Sequence, residues 1–146
     1  MTIASRTIAE YIAIDPDFSI LLQALKKANL ADLLDGEGNF TLFAPDNYAF
    51  NDLFEELGVS GIYDIKADTL IPILLYHMLG TEIKYSMFFS GNYTTLSPDL
   101  GNYRILNISV SDGVYINSDA RVIYPDVDVK NGVIHIIDKV LVPPGK

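Results

Sequence analysis

Few side chains in this chain could do chemistry. Histidine occurs twice, at His77 and His135, and cysteine does not occur at all. The missing cysteine removes thiol nucleophiles, disulfides and thiolate zinc sites. Each histidine sits inside an apolar run, His77 in "IPILLYHML" and His135 in "NGVIHIIDKVLVPP". Three roles are open to such a pair: metal ligands, general acid and base, or polar groups that join backbone segments inside a core. Zinc takes three or four ligands, usually with two of them close in sequence. Here the histidines are far apart, with no His-x-x-x-His and no cysteine beside them. "DVDVKNG" (126–132) only superficially resembles a calcium loop, because its glycine comes one position late and Lys130 occupies a ligand position. No Gly-x-Ser-x-Gly elbow is present. Among 19 acidic residues some carboxylate pair arises by chance, so their number says little about hydrolysis. The third role fits best. A neutral imidazole offers one donor and one acceptor and can bridge two backbone segments. We therefore expect no catalytic residues, no metal and no cofactor.

Elements must position these residues, and the chain divides into two halves. Thr7 followed by Glu10 predicts a capping box for a short helix to about Ile14. Asp15-Pro16 then supplies an N-cap and a first-turn proline for a helix with Phe18, Leu21, Leu22, Leu25 and Ala28 on one stripe. "DGEGN" (35–39) is a turn, and "FTLFAPD" a short buried strand stopped by Pro45. Asp46 or Asn47 caps the next helix, in which Phe50, Leu53, Phe54 and Leu57 share a face and which Gly58 ends. A further helix is predicted from near Asp68 to Gly80, with Pro72 tolerated in its opening turns. Beyond Gly80 the period changes. "YTTLS", "YRILNISV", "VYIN", "ARVIY", "GVIHII" and "KVLVPP" read as short strands separated by Gly, Asp, Asn and Pro. Asp112-Gly113 marks a hairpin, either with a strict two-residue turn pairing Val110 with Tyr115 or with a bulged loop. "GVIHII" is apolar on both faces, as in a central strand covered on both sides. Helices first and strands later predict an α+β domain. The expected core includes Phe43, Phe50, Leu75, Ile134, Ile136 and Val140.

Composition bounds the rest. At 146 residues the chain reads as a single domain spanning 1–146. The net charge of −9 disfavours nucleic acid and anionic membranes as partners. The apolar stretch Thr69 to Gly80 is too short to span a bilayer, so no direct membrane insertion of this segment is expected.

Three stretches together resemble the fasciclin domain. "TLFAPDNYAF" (41–50) is similar to the family's first motif and contains Phe43, Pro45, Asp46 and Phe50, although Thr is usual where Asp46 stands. "LLYHML" (74–79) matches the family's Tyr-His centre, Tyr76 and His77. "NGVIHIIDKVLVPP" (131–144) matches the second long motif and contains Asn131, Gly132, His135 and Asp138. The resemblance implies two packed β-sheets forming a wedge, with helices mainly in the N-terminal half, and makes these motif residues structural. It implies a non-enzymatic, extracellular or cell-surface adhesion module, secreted or lipid-anchored in the full-length protein, often in tandem with a second such domain. The implied partner is an extracellular protein or polysaccharide. A structural spacer and a carbohydrate-active enzyme are the competing readings. Two places could carry recognition by analogy. Tyr76-His77 matches the Tyr-His motif implicated in integrin binding by animal members. Pro125, Asp126 and Val127 lie where some of those members carry Glu-Pro-Asp-Ile-Met; Pro125 and Asp126 match, Val127 is conservative, and Tyr124 and Asp128 depart.

Overall fold

A computed structural model describes residues 6–97 and 104–142 of the chain. The N-terminal half is helical. The Thr7 hydroxyl accepts from the Glu10 N–H while the Glu10 carboxylate accepts from the Thr7 N–H, which closes the expected capping box of α1 (Ile8–Ile14). Asp15 caps a single 3-10 turn over Pro16–Phe18 that leads into α2 (Ser19–Lys27). A short α3 (Ala31–Asp35) precedes β1 (Phe40–Pro45). Asp46, not Asn47, caps α4 (Asn47–Leu57) by accepting the Ala49 N–H at 3.0 Å. Gly58 ends that helix in the left-handed region at φ 68°.

α5 (Ala67–Leu75) differs from the helix the sequence suggests. It begins one residue early and stops at Leu75, so Pro72 lies inside it and not in its first turn. Pro72 has no N–H for the Asp68 carbonyl, but Asp68 is exposed and water can serve that group. The helix stops because the next residues are claimed by the sheet. The His77 carbonyl accepts the Phe43 N–H of β1 at 2.9 Å, and Met78–Leu79 form a two-residue edge strand, β2, antiparallel to β1.

The remaining strands are β3 (Gly91–Thr94), β4 (Ile105–Val110), β5 (Val114–Ile116), β6 (Ala120–Val129) and β7 (Gly132–Ile137). The hydrogen-bonded order is β2-β1-β7-β6-β5-β4-β3. Among the described strands, only β1 and β7 run parallel. The two expected sheets share β6: its first residues pair with β5, and Val122 to Val129 pair with β7. The hairpin after β4 takes the bulged form, since Val110 pairs with Val114 and not with Tyr115. Lys139 to Val142, the described part of "KVLVPP", forms no strand. After Ile137 the described chain leaves the ladder, held by paired bonds between Asp138 and Arg121. Tyr103, Pro143 and Pro144, expected in strands, lie outside the described residues.

Strand alternation divides the core. Leu42, Ala44 and Ile134 pack against the helices with Ile12, Leu25, Phe50 and Leu74. Phe43 and Ile137 face the opposite way and pack with Tyr76, Phe88, Leu106 and Ile116. Both faces of β1 and β7 are therefore covered, which is why "GVIHII" has no polar face. Of the expected core, Phe43, Phe50 and Ile134 are fully buried, while Leu75, Ile136 and Val140 are half-buried at the margin of the helical cluster. Leu74 and Tyr76, which flank Leu75, take the interior positions instead.

Candidate functional site: two buried histidines and an exposed bulge

β7 carries His135 into the sheet-side core. Its ring lies between Phe43 and Phe88, at centroid distances of 6.0 and 5.4 Å. Nε2–H donates to the Ile83 carbonyl at 2.8 Å, and Nδ1 accepts the Asp126 N–H at 3.1 Å. His77, just past the end of α5, has the opposite tautomer. Its Nδ1–H donates to the Ile73 carbonyl at 2.8 Å, and Nε2 accepts the Leu141 N–H at 2.8 Å. Burial holds both rings neutral. Desolvation lowers the pKa of His77 from 6.5 to about 4, against a weaker opposing effect of its bond to Ile73. Desolvation lowers that of His135 too, opposed by the Ile83 bond and by nearby Asp126. Each imidazole has spent its donor and its acceptor on backbone, so neither has a nitrogen free for substrate or metal. Among the described residues no group of three His, Asp or Glu converges as a metal site.

The other motif residues do similar work. Asn131 is buried and satisfies three backbone groups: its Oδ1 accepts the Ile8 N–H, and its Nδ2 donates to the Leu34 and Gly36 carbonyls. Gly132 has φ 153°, and a Cβ there would sit 1.9 Å from the Phe40 carbonyl oxygen. Phe43 and Phe50 fill the two cores, Pro45 closes β1, and Asp138 Oδ1 accepts the Arg121 N–H at 2.8 Å.

Tyr76 and His77 are 0% and 1% exposed, so neither offers a contact surface. The Tyr76 hydroxyl donates to the Ile105 carbonyl at 2.8 Å and accepts from Asn117 at 3.0 Å; burial raises its pKa and the Asn117 bond partly offsets this. The stretch from Tyr124 to Val127 is placed differently. It is a bulge within β6: Tyr124 pairs with Ile136 and Val127 with Ile134, so β6 has one residue more than β7 between those pairs, and a second register shift lies between Val122 and Tyr124. Asp126 absorbs the extra residue at φ 60°. Its N–H is held by His135, and its Oδ1 accepts the Tyr85 N–H at 2.8 Å. Pro125 and Val127 are half-buried, and Tyr124 is 63% exposed. Beside the bulge, Lys84 pairs with Asp128 and lies 3.6 Å from Glu82. His135 and the bulge are thus one assembly, a connection invisible in their spacing.

Sequence reasoning missed Thr41 and Asn117. The Thr41 hydroxyl donates to the Thr81 carbonyl and accepts the Ile83 N–H at 2.8 Å. Asn117 occupies the left-handed region at φ 55°, and Asn in a Gly-free turn between β runs was the available signal.

The fold is α+β, with a parallel central strand pair, a bulged strand shared between the two parts of the sheet, and two histidines that pin backbone segments. The family model of the Fasciclin domain matches residues 16–143, and the chain belongs to the fasciclin family. It is 38% identical over 143 residues to Protein sll1483 of Synechocystis sp., covering 98% of this chain and 77% of that protein. It is 33% identical over 140 residues to human periostin, covering 96% of this chain but 16% of periostin. Among solved structures, the FAS1 domain pair from the insect cell adhesion molecule fasciclin I superposes with a TM-score of 0.74 at 20% identity. That match covers 95% of this chain and 51% of the pair, and it shows the shared fold.

Proposed function

We propose that this domain is a non-catalytic adhesion or ligand-binding module working on the outer side of a cell, with an extracellular protein or polysaccharide as its partner. Family membership supports the class, and the insect structure it resembles comes from a cell adhesion molecule. No helix among the described residues is long and apolar enough to cross a membrane. The observation that carries the reading is the fate of the histidines. The only two imidazoles in the chain are consumed in backbone bonds, and one of them holds an exposed bulge in place. Recognition is assigned to that bulge, with Tyr124 as the protruding aromatic and Pro125, Asp126 and Val127 as its rigid base. A tyrosine held on a stiff strand gives a large amphipathic contact at low entropic cost. Tyr76 and His77 act indirectly, by fixing the sheet behind it.

The test is attachment of beads carrying the domain to cells or to extracellular matrix, measured beside the unfolding midpoint. Tyr124→Ser is expected to lower attachment several-fold and leave the midpoint unchanged, because the side chain is exposed. Unchanged attachment with intact stability would remove the bulge from the contact surface.

A further inference from the structure

α5 is apolar nearly all round ("ADTLIPILL"), yet it buries only Leu70 and Leu74. A helix of that composition is normally covered on every side. Its outer face instead borders a cleft of about 230 Å³ against α4 and the C-terminal segment. Leu57, at the end of α4, is 55% exposed there, and Pro72, Ile73 and Val142 complete the apolar walls. The volume lies below the ~300–1,000 Å³ usual for small-molecule pockets. A cleft of this kind takes a few side chains presented by a larger partner.

The charge around the cleft is one-sided. Among the described residues, Asp68 is the one charged residue lining it. Val142 and Leu53 also line two neighbouring depressions, which carry Asp52, Glu56 and Asp119 and, among the described residues, Lys139 as their cation. An apolar cleft with an acid on its wall and further acids in the adjoining depressions fits a chain with apolar side chains on one face and lysine or arginine at its flanks. The net charge of −9 argues against a second copy of this domain, an anionic membrane or a nucleic acid as the occupant. We infer that the α4–α5 groove docks a basic amphipathic segment of a partner protein, apolar face inward and cations over Asp68, Glu56 and Asp119. The groove shares no residue with the β6 bulge, so the two assignments can fail separately.

The experiment titrates the intact domain with a Leu/Lys peptide of helical amphipathic pattern. Controls are a Leu/Glu peptide of the same pattern and a Leu/Lys peptide scrambled to remove its apolar face. The expected result is a one-to-one complex with the patterned Leu/Lys peptide, at least about tenfold tighter than with either control. Leu57→Ser should weaken it about tenfold, and Asp68→Asn should reduce its salt dependence. Where Leu57→Ser lowers the unfolding midpoint, Thr69→Trp, which plugs the exposed mouth, carries the same test. Equal binding of the scrambled peptide would show mere charge attraction and overturn the groove. Equal binding of the Leu/Glu peptide would overturn the basic partner. A concentration-dependent dimer abolished by Leu57→Ser would make a second copy the occupant and overturn the inference as well.

Discussion

At the scale of single residues, the fasciclin motifs are legible because each one carries a backbone obligation. Asn131-Gly132 shows this most clearly. Asn131 joins the start of α1 and the end of α3 to the sheet, and Gly132 lets β1 approach where a side chain cannot fit. Gly132→Ala should cost roughly 3 kcal/mol or more, since its Cβ meets backbone and its φ is also unfavourable. Denaturant unfolding measures this directly. Asn131→Asp keeps the shape but removes the two donors and turns a carboxylate on the Leu34 and Gly36 carbonyls. It should cost about 3 kcal/mol or more at neutral pH, by the same measurement. What the residues could not disclose was direction. Tyr76 and His77 read as residues joining helix and sheet, with a contact role as the competing reading, because neighbouring positions on a helix point about 100° apart. In fact α5 has already ended and both point inward.

At the scale of elements, caps and stops were readable and tertiary claims were not. Thr7, Asp15, Asp46 and Gly58 all end or begin helices as local chemistry dictates. Asp46 stands where the family usually has Thr, and either side chain can accept the Ala49 N–H. Asp46→Ala should therefore lower stability by about 1 kcal/mol, and Asp46→Thr by less than about 0.5 kcal/mol. A loss as large for Thr as for Ala would mean that the carboxylate does more than cap. The end of α5 was misjudged because helical spacing continues through Met78, while β1 takes the His77 carbonyl and pairs with Met78 and Leu79. The bulge in β6 is not legible in the sequence for a related reason. Pro125 and Asp126 are turn formers, and only the register with β7 shows that the extra residue between Tyr124 and Val127 lies inside a continuous strand. The recognition role proposed for that bulge rests on its being held by the β6–β7 ladder and by His135.

At the scale of the whole molecule, two half-cores meet along the β1–β7 pair, and the histidines tie outlying segments to it. His77 fastens the C-terminal segment at Leu141, and His135 fastens Ile83 and the bulge. If these rings are structural pins, folding must keep them neutral, and global stability must register their protonation. The unfolded chain binds protons at both rings below about pH 6.5. The folded chain resists, down to about pH 4 at His77 and also below the ordinary value at His135. The unfolded state thus holds more protons in this window. The contribution is complete above about pH 6.5 and is lost as pH falls toward 4, at roughly 1.4 kcal/mol per pH unit for His77. The interval from pH 6.5 to 5 is the cleanest, because carboxylates titrate mainly below it. The decisive measurement is the unfolding free energy across that interval for the wild-type domain and for His77→Gln and His135→Gln. The account predicts a falling profile for the wild type and a flatter one for each variant, on a lower baseline. A wild-type profile flat from pH 6.5 to 5, or variants that lose stability as steeply as the wild type, would contradict it.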